Sequence, residues 1–178
     1  MADVALNYAH PAAVSGESLL KDCDEIRTRR SGPGGQHRNK VETAVVLTHR
    51  PTGISAEAGE RRSQPENRKV AVFRLRVNLA LEVRTGLTAE SPETHPSSSL
   101  WRERTRSGRI SVNPEHDDFP ALLAECLDRI ASNAWDVSAA AAQLGVSSSQ
   151  IVRFLKDEPR ALSQVNQHRQ SRGPRPLR

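Results

Sequence analysis

The clearest pattern of apolar and polar positions lies in the first half of the chain, where short runs with strand character alternate with turns. Residues 25–30 predict a short strand that enters a glycine-rich segment, and the β-branched run at residues 43–49 predicts a second strand. Residues 51–53 supply a turn before residues 54–58, which alternate apolar and polar. The pattern therefore predicts a β-hairpin that follows an exposed glycine-rich loop.

A helix of about residues 65–84 is predicted to pack on this sheet. Ser63 stands three residues before Glu66, the spacing of a capping box, and Pro65 occupies the permitted first turn. Apolar residues recur at helical spacing along this stretch, at Val70, Phe73, Val77, Ala80 and Leu81.

The C-terminal part of the chain predicts a small helical module. Residues 122–130 form an apolar stripe, and a second helical stretch from about 138 ends at Gly145. A third helix begins at Ser147, with Gln150 at the capping-box position, and buries Ile151, Phe154 and Leu155. The order helix, glycine, serine-capped helix is typical of a helix-turn-helix, and a purely structural three-helix unit fits it equally well.

The predicted fold class is α+β, with a small mainly antiparallel sheet and a packing helix, followed by a linker and a small all-α module. Residues 87–118 show no sustained periodicity and predict a flexible linker with one aromatic anchor, Trp101. The predicted divisions are an acidic N-terminal lead at 1–23, a sheet-and-helix domain at 24–86, the linker at 87–118, the helical module at 119–158 and a basic C-terminal tail at 159–178.

Composition narrows the class of protein further. With 178 residues and 36% apolar residues, the chain has the size of one domain with room for a small second one. It shows no run of apolar residues long enough for a membrane span and no secretory signal, which predicts a cytoplasmic protein without a membrane partner. Cys23 and Cys126 match no metal or disulfide spacing, so we expect two reduced, partly buried thiols, no metal and no cofactor.

Charge is distributed unevenly along the chain. The net charge is +5, yet residues 27–86 carry thirteen basic and five acidic side chains. Residues 159–178 carry five arginines and no acidic residue. Two separated basic regions of this kind favour a polyanionic partner such as RNA.

The glycine-rich loop becomes informative through its neighbours. Taken alone, Gly-Pro-Gly-Gly is compatible with an ordinary turn, and it lacks the spacing of a P-loop or a dinucleotide fingerprint. The full segment at 29–40, RRSGPGGQHRNK, closely resembles the signature of class-I peptide chain release factors. The likeness continues through residues 43–45, 48–54, 62–64 and 67–69, and it covers about residues 24–84.

The resemblance implies a catalytic domain that hydrolyses the ester between a nascent peptide and tRNA, with Gly34, Gly35 and Gln36 as catalytic residues. A main-chain N–H at Gln36 can stabilise the reacting oxygens, while the Gln36 side chain orients water, so no side-chain nucleophile is required. The resemblance assigns His37 to RNA contact or loop structure rather than to proton transfer. The RNA-binding residues implied are Arg29, Arg30, His37, Arg38, Lys40, Arg61, Arg62, Arg68, Lys69, Arg169, Arg172, Arg175 and Arg178.

The resemblance implies three partners. They are the ribosome, peptidyl-tRNA, and a glutamine methyltransferase acting on Gln36. On the ribosome, the contacts implied are large-subunit rRNA at the peptidyl-transferase centre and the small-subunit mRNA channel.

The sequence departs from the family pattern at three places. Arg30 and Arg38 replace a small and an aliphatic residue and add charge towards RNA. Pro65-Glu66 replaces a more basic pair and weakens the expected phosphate contacts there.

About 25 residues with a net negative charge precede the matching stretch, which leads us to expect no codon-reading domain. The resemblance is therefore to short ribosome-rescue hydrolases that act without a stop codon, in which a basic tail senses an empty mRNA channel. Two alternatives remain open. The same hydrolysis could act on separated large subunits, or the chain could be a non-catalytic nucleic-acid-binding protein that uses the helical module.

Overall fold

The computed structural model describes residues 10–28, 43–86, 96–171 and 176–177. They divide into two compact units, one spanning Val14–Leu79 and the other combining Met1–Ala13 with Ala80–Arg178. The elements of the first, the sheet unit, are α1 (Gly16–Leu20), β1 (Cys23–Thr28), β2 (Ala44–His49), β3 (Ser55–Ala58) and most of α2 (Gln64–Glu82). The second, the helical unit, holds a 3₁₀ turn (Pro11–Ala13), the end of α2, α3 (Ser99–Arg104), β4 (Thr105–Arg106), β5 (Arg109–Ile110), α4 (Phe119–Ser132), α5 (Val137–Gln143), α6 (Ser148–Lys156) and α7 (Pro159–Gln170).

The sheet is antiparallel with the strand order β1-β2-β3. Leu47 of β2 lies opposite Glu25 of β1 and Ala56 of β3, so these three side chains share one face. On this face Leu47 and Ala56 are buried, whereas Ile26 on the opposite face is 57% exposed. The predicted hairpin and the alternation that predicts it are both confirmed.

Helix α2 packs across the buried face of the sheet. Its side chains reach both edge strands, since Arg68 pairs with Glu25 of β1 and Asn78 donates to the carbonyl of Ser55 in β3. The helix bounds agree with the prediction of about 65–84. The buried stripe differs, because Ala71, Leu75 and Leu79 are fully buried while Val70 and Phe73 are only half-buried.

The helical unit is built around α4, in which every residue from Phe119 to Ile130 is buried. The N-terminal 3₁₀ turn packs against this helix, and His10, just before the turn, is fully buried. Phe154 of α6 contacts the rings of both Trp101 and Phe119. The predicted all-α module is therefore confirmed, with short elements added to it from both ends of the chain.

The predicted flexible linker is corrected over its second half. Residues 99–110 form α3 and the β4–β5 hairpin, and Trp101 is 1% exposed, with its indole N–H donating to the Leu144 carbonyl at 3.0 Å. The buried Glu125 accepts hydrogen bonds from the main chain and hydroxyl of Ser98, the N-cap of α3. Such short elements carry no periodicity because tertiary contacts hold them. Residues 87–95 lie outside the described residues.

The predicted basic tail is also corrected. Its first twelve residues form α7, in which Ala161 and Val165 are fully buried one helical turn apart. Glu158 caps this helix and pairs with Arg160.

The N-terminal lead is divided between the two units. Cys23 and Cys126 are free thiols, as predicted. No helix among the described residues is long and apolar enough to cross a bilayer.

Candidate functional site

The register of β1 and β2 fixes where the glycine-rich segment begins and ends. Thr28, the last residue of β1, lies directly opposite Ala44, the first residue of β2. The segment at 29–42, which contains Gly34, Gly35 and Gln36, therefore leaves and rejoins the sheet at the same end of two paired strands. The segment itself lies outside the described residues.

Asn67 fixes the return end of this segment to α2. The side chain is fully buried, and its Nδ2 donates to the carbonyl of Thr43 at 2.7 Å and to that of Arg61 at 3.0 Å. Its Oδ1 accepts from the Arg61 N–H at 2.9 Å. One amide thus joins the residue before β2, the loop after β3 and the first turn of α2, and it satisfies three main-chain groups.

The departing end is fixed by an ion pair. Glu25 of β1 accepts from Arg68 of α2 at 2.7 Å and from Arg27 at 3.4 Å. The hydrogen bond from Arg68 lowers the pKa of Glu25, with the charges of Arg68 and Arg27 adding to the effect. Both strands that flank the segment are therefore tied to adjacent residues of one helix.

Exposed cations surround the start of α2. Arg61 and Arg62 lie in the loop before the helix and Lys69 lies within it; in the ranges that the structure describes, their side chains form no ion pair. Glu60, an acidic residue next to Arg61, is bound at 2.6 Å by Arg74, and Glu66 lies in the first turn of α2. A hydrogen bond from the Gly59 N–H, assisted by Arg74, lowers the pKa of Glu60 to about 2. The surface consequently keeps positive charge available for phosphate.

The predicted site residues are thus placed unevenly. Arg61, Arg62, Arg68 and Lys69 come together at the start of α2, where Arg68 serves as the partner of Glu25. Arg169 belongs to the helical unit and donates to the Trp135 carbonyl at 3.3 Å. The predicted residues that lie outside the described part of the chain are Arg29, Arg30, Gly34, Gly35, Gln36, His37, Arg38, Lys40, Arg172, Arg175 and Arg178.

Two residues that hold the ends of the glycine-rich segment were not predicted as site residues from the sequence. Asn67 carried a signal, because a polar amide stands among the residues that match the family next to Arg68 and Lys69. Glu25 carried none, since its pairing with Arg68 spans 43 positions and depends on how α2 crosses the sheet. The described residues thus provide a cationic frame at the two ends of the glycine-rich segment.

The comparisons with known proteins agree with this geometry. The family model described as "RF-1 domain" matches residues 19–115, which is more than half of the chain. Peptide chain release factor 1 of Ureaplasma parvum serovar 3 is 53% identical over 105 residues, covering 57% of this chain and 29% of that protein. Peptide chain release factor 2 of an Acidovorax strain is 53% identical over 75 residues, covering 40% of this chain and 20% of that protein.

A chloroplastic relative from Arabidopsis thaliana, Peptide chain release factor PrfB1, is 48% identical over 67 residues, covering 38% of this chain and 15% of that protein. The chain therefore spans less than a third of the length of these curated relatives. The family match extends beyond the resemblance seen from the motif, through α3 and the β4–β5 hairpin. On the match to residues 19–115, the chain belongs to the RF-1 domain family, that of the class-I release factor catalytic domain.

Proposed function

We propose that this protein hydrolyses the ester of peptidyl-tRNA on the ribosome and releases the nascent peptide. The observation that carries the proposal is the position of Gly34-Gly35-Gln36, in its matching context, between two paired strands tied to α2. The family model matches residues 19–115, and relatives that match part of this chain are named peptide chain release factors. In this proposal the large-subunit rRNA at the peptidyl-transferase centre receives the segment, and Gln36 is also the substrate of a glutamine methyltransferase.

The proposed chemistry is acyl transfer to water. The Gln36 N–H donates to the charge that develops on the departing ribose oxygen, and the two glycines allow the main chain to approach the ester closely. The Gln36 side chain orients the attacking water. Arg61, Arg62 and Lys69 contact rRNA phosphates beside the segment, while Asn67 and Glu25 hold its two ends.

We further propose that release does not require a stop codon, as in ribosome-rescue hydrolases, and that the protein acts in the cytoplasm. The support for codon independence is the resemblance to those hydrolases. The test is release of a labelled peptide from ribosomes that hold no codon, a sense codon or a stop codon in the A site. Release without a codon supports the proposal, whereas release only with a stop codon contradicts it.

Substitutions in the basic C-terminal residues can tell whether the substrate is the stalled ribosome or the free large subunit. The structure favours point substitutions over deletion of these residues. Removing residues 159–178 would remove α7 and with it buried Ala161 and Val165. The triple substitution R172A/R175A/R178A leaves α7 intact. If the arginines sense the mRNA channel, this variant loses release on intact stalled ribosomes and retains it on separated large subunits carrying peptidyl-tRNA. Equal release by variant and wild type on both substrates assigns no channel-sensing role to these arginines.

A further inference from the structure

The helical unit contains a fixed turn between two short helices. Gly145 follows α5 with φ +67°, a conformation that favours glycine. The N–H of Val146 donates to the Ala141 carbonyl at 3.0 Å, and the Trp101 indole holds the Leu144 carbonyl from the other side. The disposition of α5 and α6 is thereby set by hydrogen bonds within the unit, as a helix-turn-helix requires.

Helix α6 presents two chemically different faces. Ile151, Phe154 and Leu155 are buried. Ser149, Arg153 and Lys156, spaced by four and three residues, are exposed and form one stripe along the opposite side. Short serine and valine side chains around Arg153 would let the helix approach a partner closely, with cations reaching outward from it.

The β4–β5 hairpin adjoins the beginning of α6. The N–H of Ile110 donates to Oε1 of Gln150 at 3.4 Å, and a Cβ on Gly108 would lie 4.0 Å from the Gly145 carbonyl oxygen. Ser107 and Gly108 have φ values of 51° and 72°, typical of a tight type I′ hairpin turn. The hairpin is thus seated beside the turn that precedes α6.

Two arginines lie directly across this hairpin. Arg106 and Arg109 are paired in register, so their side chains leave the same face, opposite to the face of Thr105 and Ile110. Like charges directly opposite one another are unfavourable in the free protein. A phosphate placed between them would attract both guanidinium groups and so offset their mutual repulsion.

These residues form one cationic region, the α6–hairpin surface, defined by Arg106, Arg109, Ser149, Arg153 and Lys156. All five are exposed, and within the ranges 10–28, 43–86 and 96–171 none of the four cations takes part in an ion pair. By contrast, two other arginines of the unit are paired with carboxylates, Arg104 with Asp118 and Arg160 with Glu158. Four uncompensated cations around a small-residue stripe are a surface with charge complementary to a polyanion.

We propose that the α6–hairpin surface binds double-stranded DNA, with α6 in the major groove and the hairpin arginines on the flanking phosphates. The B-form major groove is wide enough to admit an α-helix, whereas the A-form RNA major groove is deep and narrow. Ser149 and Arg153 face base edges, and Lys156, Arg106 and Arg109 neutralise phosphates. This activity is separate from the proposed peptide release.

The test uses the full chain and a fluorescent duplex DNA of random sequence, with affinity measured by anisotropy over a range of salt concentrations. Each of the variants R153A/K156A and R106A/R109A should weaken binding on the order of tenfold. Because each phosphate contact contributes about one to the salt slope, R106A/R109A should reduce the slope by about two and R153A/K156A by about one. The matched control R102A/R160A removes the same charge elsewhere on the helical unit and should change affinity little. Thermal unfolding of each variant checks that it is folded.

Three results would overturn the proposal. They are absence of duplex DNA binding at moderate salt, an equal loss of affinity in R102A/R160A and in the two surface variants, and binding of an RNA duplex of the same sequence as tightly as DNA. Truncation of residues 1–86 is not a suitable test, because residues 10–13 and 80–86 belong to the same compact unit as α6. Point substitutions at exposed positions keep that unit whole.

Discussion

Asn67 of α2 donates from Nδ2 to the main-chain carbonyl of Thr43 at 2.7 Å, and this hydrogen bond joins the helix to the residue directly before β2. The same amide holds both polar main-chain groups of Arg61. The side chain is fully buried, so removing the amide leaves these main-chain groups without their protein partner. The return end of the glycine-rich segment is therefore held to α2 by one side chain.

Replacing Asn67 should impair both stability and release. Asn67→Ala leaves three main-chain groups without their partner, and we expect a loss of about 1–3 kcal/mol in the free energy of unfolding. Because Thr43 would no longer be held, we also expect the release rate at saturating protein to fall on the order of tenfold or more. Denaturant unfolding and single-turnover release on stalled ribosomes measure the two effects.

Asn78→Ala provides the matched control on the same helix. Its amide donates to the Ser55 carbonyl at 2.9 Å, and the side chain is half-buried, whereas that of Asn67 is fully buried. We expect a loss of about 0.5–1.5 kcal/mol and unchanged release by folded protein. If Asn67→Ala and Asn78→Ala reduced the release rate equally, Asn67 would have no positioning role.

Glu60 should make the sheet unit sensitive to acid. Hydrogen bonds from the Gly59 N–H and Arg74 lower its pKa from 4.5 to about 2, so the folded state favours the carboxylate. A depressed pKa contributes stability that is complete above 4.5 and is lost as the pH falls towards 2. The melting temperature of Glu60→Gln should depend less steeply on pH in this window than that of the wild type. Parallel curves would contradict the assignment.

His10 should make the helical unit sensitive at a higher pH. Its Nδ1 accepts from the Ala12 N–H at 3.0 Å and its Nε2 lies 3.2 Å from the Val83 carbonyl, which together use both nitrogens of the neutral ring. Burial lowers the pKa of His10 below 6.5, although Asp128 opposes the shift. The contribution of the neutral ring is therefore complete above 6.5 and declines as the pH falls through the lowered pKa.

The variant His10→Asn removes the titrating ring. The difference in unfolding free energy between wild type and this variant should narrow as the pH is lowered below 6.5. Chemical unfolding at a series of pH values, followed by the helical signal in circular dichroism, measures it. A difference that stays constant with pH would show that His10 titrates alike in the folded and unfolded states.

Substitution of Trp101 tests whether residues 96–118, which precede α4, are part of the folded helical unit. Trp101→Ala removes a side chain that is 1% exposed, and we expect it to destabilise the helical unit by about 3–5 kcal/mol. Trp101→Phe keeps part of the packing and loses some buried ring volume together with the hydrogen bond to Leu144, and we expect a smaller loss of about 1–3 kcal/mol. If residues 96–118 acted as a flexible connector, both variants would unfold like the wild type.

The elements with strong local signals could be predicted from the sequence. The alternation in β2 and β3 and the Ser63 start of α2 set bounds that the structure reproduces closely. The parts that escaped prediction rest on distant partners. Residues 99–110 are ordered by Trp101 and Glu125, and α7 is ordered by two buried side chains that do not stand out among its arginines. The pairing of Arg106 with Arg109 depends on the hairpin turn between them.

The central claim is that the main chain at residues 34–36 promotes release, and Gly35→Ala tests it most directly. A methyl group at that position obstructs the close approach of the main chain to the ester while changing no charge. The measurement is the rate of peptide release from ribosomes that hold peptidyl-tRNA and have no mRNA in the A site. The proposed function predicts rapid release by the wild type and almost none by an equally stable Gly35→Ala variant; equal rates for the two proteins would contradict it.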